Sequence, residues 1–92
     1  MQALAELRDQ INELDYQLIH ILGERMEVAD KIGRYKKENG IAVLQTWRWE
    51  TMLRARLDLG NQKGLNEAFI KTLFRFIHQE SIQRQRSVMN QG

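Results

Sequence analysis

Ninety-two residues suit one small domain spanning 1–92, with a core that is marginal unless something else supports it. The hydrophobic share of 42% excludes a disordered chain, and zero cysteines exclude disulfides and thiolate metal sites. Net charge is +2, from 14 basic and 12 acidic residues that are interleaved rather than blocked, which makes no case for nucleic acid.

The first predicted element is one long helix. Leu4, Leu7, Ile11, Leu14, Leu18, Ile21, Arg25, Val28, Ile32 and Tyr35 step alternately by three and four, and Asn39-Gly40 supplies the stop. Glu27 with Lys31 and Asp30 with Arg34 are i,i+4 pairs in the favourable order. Some 35 residues at about 1.5 Å each span roughly 50 Å, whereas a compact domain of this size has a radius of gyration of about 12 Å. Such a helix is too long for its own monomer. Its seam calls for partner helices, and a second copy of the chain is the simplest source, so an obligate homodimer is expected.

A linker, "IAVLQT", leads to a second helix over Thr46–Asn61 carrying Trp49, Met52, Leu53, Leu57 and Leu59, closed by "NQKG". The third helix opens at Asn66, a good N-cap, with Leu65 and Ile70 at staple positions and Glu67 in the first turn. Its stripe is Phe69, Ile70, Leu73, Phe74, Ile77, Ser81, Gln85 and Val88. No strand signal occurs, so the class is all-α. No apolar run approaches the ~18 residues of a membrane span and no signal-peptide core is present, so no membrane association and a cytoplasmic location are expected.

Two stripes are interrupted by polar residues, the first by Arg25 and the third by Ser81 and Gln85. Lys36 joins Arg25, because eleven residues along a helix return to within about 20° of the same direction. Burying an unpaired Arg or Lys costs several kcal/mol, so these groups need anionic partners. Asp9, Glu13, Glu24, Glu27 and Asp30 fall off the seam, on the side expected to be solvated. One polar seam residue could simply fix register. All four together point instead to a cavity for a small anion, a carboxylate above all, since a guanidinium meets a carboxylate with a bidentate fork. Arg8 also adjoins the seam, but lies 17 residues before Arg25, roughly 25 Å along the helix. It can reach that site only from a partner chain; taken alone it reads as a surface residue. "RYKK" (34–37) and "RQR" (84–86) read as solvated faces, and His20 and His78 as ordinary helix-surface histidines with no metal-ligand spacing.

"LRDQINELDYQLIHILGERMEVADKIGRYK", "QTWRW" and "FIHQESIQRQ" together resemble the all-helical (AroQ-type) chorismate mutases, from about Leu4 to Gln85. The resemblance implies three helices per chain in an intertwined homodimer with two composite sites. It implies conversion of chorismate to prephenate in phenylalanine and tyrosine biosynthesis, without a cofactor. By resemblance, Arg25 and the partner chain's Arg8 bind the two carboxylates, and Lys36 meets the ether oxygen and a carboxylate. Arg48 lines the pocket, Ser81 meets the ring carboxylate, Gln85 donates to the ether oxygen, and Gln45 stands where an Asp often contributes its main chain. One position departs. Many members carry a Glu after the second-helix arginine, accepting a hydrogen bond from the ring hydroxyl; here it is Trp49, either core or pocket wall. "RW" at this place is similar to mutase domains joined to 3-deoxy-arabino-heptulosonate-7-phosphate (DAHP) synthase, which makes such a domain a candidate partner. Two alternatives stay open: an isochorismate-pyruvate lyase of the same fold, and a non-catalytic helical module that regulates a partner enzyme.

Overall fold

The computed structural model describes residues 2–91. Its elements are α1 (Gln2–Asn39), α2 (Thr46–Gln62) and α3 (Glu67–Met89), with no strand among the described residues. The boundaries follow local chemistry. α1 stops where Gly40 takes φ +62°, and the Ile41 N–H then donates to the Lys36 carbonyl at 2.9 Å. α2 stops in the same way: Gly64 takes φ +73° and the Leu65 N–H donates to the Gly60 carbonyl at 2.9 Å. Both are glycine-terminated Schellman closures, in which only a residue free of Cβ strain adopts the left-handed turn cheaply. α3 begins as expected, with the Asn66 side chain accepting from the Phe69 N–H at 3.0 Å. α2 runs one residue beyond its expected end.

α3 packs against both other helices, while α1 and α2 do not pack on each other. Met26, Ala29, Ile70, Ile82 and Val88 form the buried apolar core along α3. α1 comes close to α3 at Gly33, where a Cβ would stand 2.9 Å from Gln85 Cα and 3.2 Å from the Gln85 carbonyl oxygen. Gly60 plays the same part between α2 and α3, since a Cβ there would lie 2.9 Å from Ile70 Cγ1.

One ion pair clamps α1 to α3. Arg84 Nε donates to Asp30 Oδ1 at 3.0 Å and Nη2 to Oδ2 at 2.9 Å. This corrects two expectations, that Asp30 is a solvated partner of Arg34 and that "RQR" is a solvated face. Asp30 turns to α3, where the planar Arg84 fork matches its carboxylate. Arg34 acts on it only through space, and of the three residues in "RQR" only Arg86 is exposed. The Arg84 guanidinium holds the Asp30 carboxyl below its usual range, and Asp30 raises Arg84 in return.

From Gln2 to Ile21 every residue of α1 is exposed. Leu7, Ile11, Leu14 and Ile21 are 57–60% accessible although they sit on the apolar seam. The molecule is correspondingly long, 57 × 28 × 14 Å, with a radius of gyration of 16.8 Å. No helix among the described residues is long and apolar enough to cross a membrane.

Candidate active site

A cleft of about 300 Å³ opens where α1, α2 and α3 converge. Its lining includes Arg25, Lys36, Gln45, Arg48, Ser81 and Gln85, six of the seven residues named from sequence. The seventh, Arg8, is exposed on the free half of α1 and does not line the cleft of its own chain. Val28, Ile32, Met52, Ile82 and Trp49 make up much of the apolar wall.

Helix phase explains the convergence. Arg25, Val28, Ala29, Ile32 and Lys36 share one face of α1 at helical spacing, as do His78, Ser81, Ile82 and Gln85 on α3. Close contact at Gly33 then brings the two rows together. Lys36 Nζ donates to Gln85 Oε1 at 2.9 Å and to the Val43 carbonyl at 2.8 Å, tying the α1–α2 linker to the site. Gln85 Nε2 donates to Ser81 Oγ at 3.3 Å. Ser81 and Gln85 are 8% and 5% exposed, and no buried side-chain nitrogen or oxygen among the described residues lacks a partner. The amide is therefore fixed in orientation before any ligand arrives.

Charge sets the chemistry. Four cations line the cleft, Arg25, Lys36, Arg48 and Arg56, and no carboxylate does. Burial, and then the neighbouring Arg56, depresses the Arg25 pKa; burial alone depresses that of Lys36. Cations held this way are under-solvated and mutually repelled, and an anion relieves both costs.

Sequence reasoning missed two members of this lining. Arg56 stacks its guanidinium 5.8 Å from the Phe74 ring centroid and donates to the Met52 carbonyl at 3.3 Å. Its signal was available: Arg48, Met52 and Arg56 follow one another at i, i+4 and i+8. His78 was expected on the surface, which is corrected here. It is half-buried, lines the cleft and stacks on Trp49, with ring centroids 4.2 Å apart at 18°. Burial lowers its pKa, and the Arg25 and Lys36 charges lower it further, all favouring the neutral imidazole. Trp49 resolves as pocket wall rather than core, while His20 is exposed as expected.

Residues 7–86 match the family described as chorismate mutase type II. The chain is 32% identical over 87 residues to the bifunctional chorismate mutase/prephenate dehydratase of Buchnera aphidicola subsp. Acyrthosiphon pisum, covering 95% of this chain and 23% of that protein. It is 31% identical over 88 residues to the bifunctional chorismate mutase/prephenate dehydratase of Escherichia coli K12, covering 96% and 23%. Against the T-protein of Haemophilus influenzae it is 31% identical over 81 residues, covering 88% and 22%. The chain thus spans under a quarter of the length of these relatives. The cationic, carboxylate-free cleft built by three helices and the match over nearly the whole chain agree, and the protein belongs to the chorismate mutase type II family.

Proposed function

We propose that the chain, as a single domain, converts chorismate to prephenate and thereby serves phenylalanine and tyrosine formation in the cytoplasm. The observation that carries this reading is the cleft's four cations without a carboxylate, beside a preset Lys36–Gln85–Ser81 chain of hydrogen bonds. Chorismate is a flexible dianion. In its rearrangement the ether C–O bond breaks as a C–C bond forms from the enolpyruvyl methylene to the ring carbon that bears the carboxylate. No proton moves and no group leaves, so the protein has two tasks. It holds the side chain folded over the ring, a positioning effect, and it stabilises charge growing on the ether oxygen.

Arg25 and Arg48, reaching in from α1 and α2, suit the carboxylates, and Ser81 suits the ring carboxylate. Lys36 and Gln85 share one side of the cleft and suit the ether oxygen, where donors act more strongly in the transition state than in the ground state. Gln45 stands at the α2 N-terminus with no capping bond from its side chain, which leaves that amide available to the ligand. The uncovered seam of α1 supports an intertwined homodimer in which a second copy covers the seam and adds its Arg8 to the cleft.

Proton NMR of chorismate incubated with the protein tests this reading: prephenate signals are expected. Salicylate and pyruvate from isochorismate would make the protein a lyase, and no turnover of either would leave a regulatory module. Arg25→Ala should lower kcat/KM for chorismate by about a hundredfold or more while far-UV circular dichroism and assembly stay unchanged. Full activity of that variant would remove Arg25 from the site.

A further inference from the structure

The chorismate reading leaves one group of the ligand unmatched. Both carboxylates, the ether oxygen and the enol system only accept hydrogen bonds; the ring hydroxyl is the one donor. A donor buried without an acceptor costs about as much as a lost hydrogen bond. The cleft is rich in donors and poor in acceptors. Among its side chains Gln85 Oε1 already accepts from Lys36, and Ser81 Oγ accepts from Gln85. Val43 offers a carbonyl that already accepts from the Lys36 ammonium. Two lining side chains have an acceptor that no hydrogen bond yet engages, Gln45 and His78. Gln45 is exposed and no side-chain bond fixes it at the start of α2. His78 is half-buried, and the Trp49 face fixes the plane of its ring.

We propose that His78, held flat against Trp49, accepts the hydrogen bond of the substrate's ring hydroxyl and so reads where on the ring that hydroxyl sits. The assignment rests on chorismate as substrate. It gives Trp49 a purpose as well: an indole where a carboxylate would otherwise stand is the platform that positions an acceptor from α3. An acceptor without charge also leaves the cleft's cations free to bind the two carboxylates, where a carboxylate would compete for them.

His78 must be unprotonated for this role, and the groups facing it favour that. Arg25 and Lys36 approach from α1, Arg48 and Arg56 line the same cleft from α2 beside Trp49, and no acidic residue joins them. Of the lining side chains the imidazole is the one whose ordinary titration lies nearest neutral pH, and its surroundings move that titration down.

The test compares wild type, His78→Phe and His78→Gln on chorismate and on its analogue lacking the ring hydroxyl. His78→Phe keeps an aromatic ring against Trp49 and removes the acceptor; His78→Gln keeps an acceptor and removes the ring. His78→Phe is expected to lower kcat/KM for chorismate by about ten- to hundredfold, and the penalty should shrink to about twofold on the deoxy analogue. His78→Gln should recover most of the loss. Wild-type kcat/KM for chorismate should fall as the pH drops below the ordinary imidazole range, and His78→Gln should flatten that limb. Equal losses on both substrates would reduce His78 to a packing residue and overturn the proposal, as would a Gln variant no better than the Phe one. If wild type forms no prephenate, the substrate reading itself fails, and that is seen before any variant is compared.

Discussion

Gln85 is a nearly buried polar side chain at the centre of a hydrogen-bonded chain. It is 5% exposed, accepts from Lys36 and donates to Ser81, and it interrupts an apolar stripe to do so. A neutral amide keeps its N–H at every physiological pH. A glutamate there would be almost fully buried, and burial disfavours the ionised form and raises the carboxyl pKa against the opposite pull of the Lys36 ammonium. Ionised, it accepts only. Gln85→Glu is therefore expected to be active in acid and to lose that activity as pH rises through the carboxyl's pKa; rates at about pH 5 and about pH 8 check it, and equal rates would remove Gln85 from the ether oxygen. The sequence pointed to Arg25, Lys36, Ser81 and Gln85 because a polar residue on an apolar stripe is conspicuous. Arg56 and His78 escaped for the opposite reason. They sit beside the stripes, and only the approach of a second helix turns that side into a wall. Asp30 and Arg84 escaped because a pairing across 54 residues leaves no local pattern.

Helix ends were readable from sequence alone: Gly40, Gly64 and Asn66 each do what local chemistry dictates. The crossing of α1 on α3 was not. Gly33 reads as an isolated glycine within a helix, and nothing in the chain says that it meets the Gln85 backbone. The two magnitudes at this position oppose each other. Alanine at 33 should gain about 1 kcal/mol of helix propensity. Against that, its Cβ would come 2.9 Å from Gln85 Cα, and backbone cannot rotate away. Overpacking of this kind costs typically about 1–3 kcal/mol, so the net effect of Gly33→Ala is destabilising. Activity should fall further than stability, because separating the helices pulls Gln85 from Lys36. Thermal unfolding and kcat measured on one preparation check both parts, and an unchanged kcat would show that the crossing tolerates a methyl.

The whole molecule looks unfinished as a single chain. A 57 Å rod whose first half exposes Leu4, Leu7, Ile11, Leu14 and Leu18 in one row has a face that water should not see. The length of α1 was evident in the heptads, and so was the need for a cover. If a second copy supplies it, Arg8 of one chain works with Arg25 of the other, and inactive variants should complement. Refolding Arg8→Ala together with Gln85→Ala at equal amounts makes about half the dimers mixed, each with one intact site of two, so about a quarter of wild-type activity should return. No recovery would mean that Arg8 does not act across chains. The separation of α1 from α2 has its own consequence. Since the cleft fills the gap between them, a dianion held by Arg25 and Lys36 on one side and Arg48 on the other would act as a strut. A ligand so held would complete the bundle, and its departure would leave α2 attached through α3 and its linker.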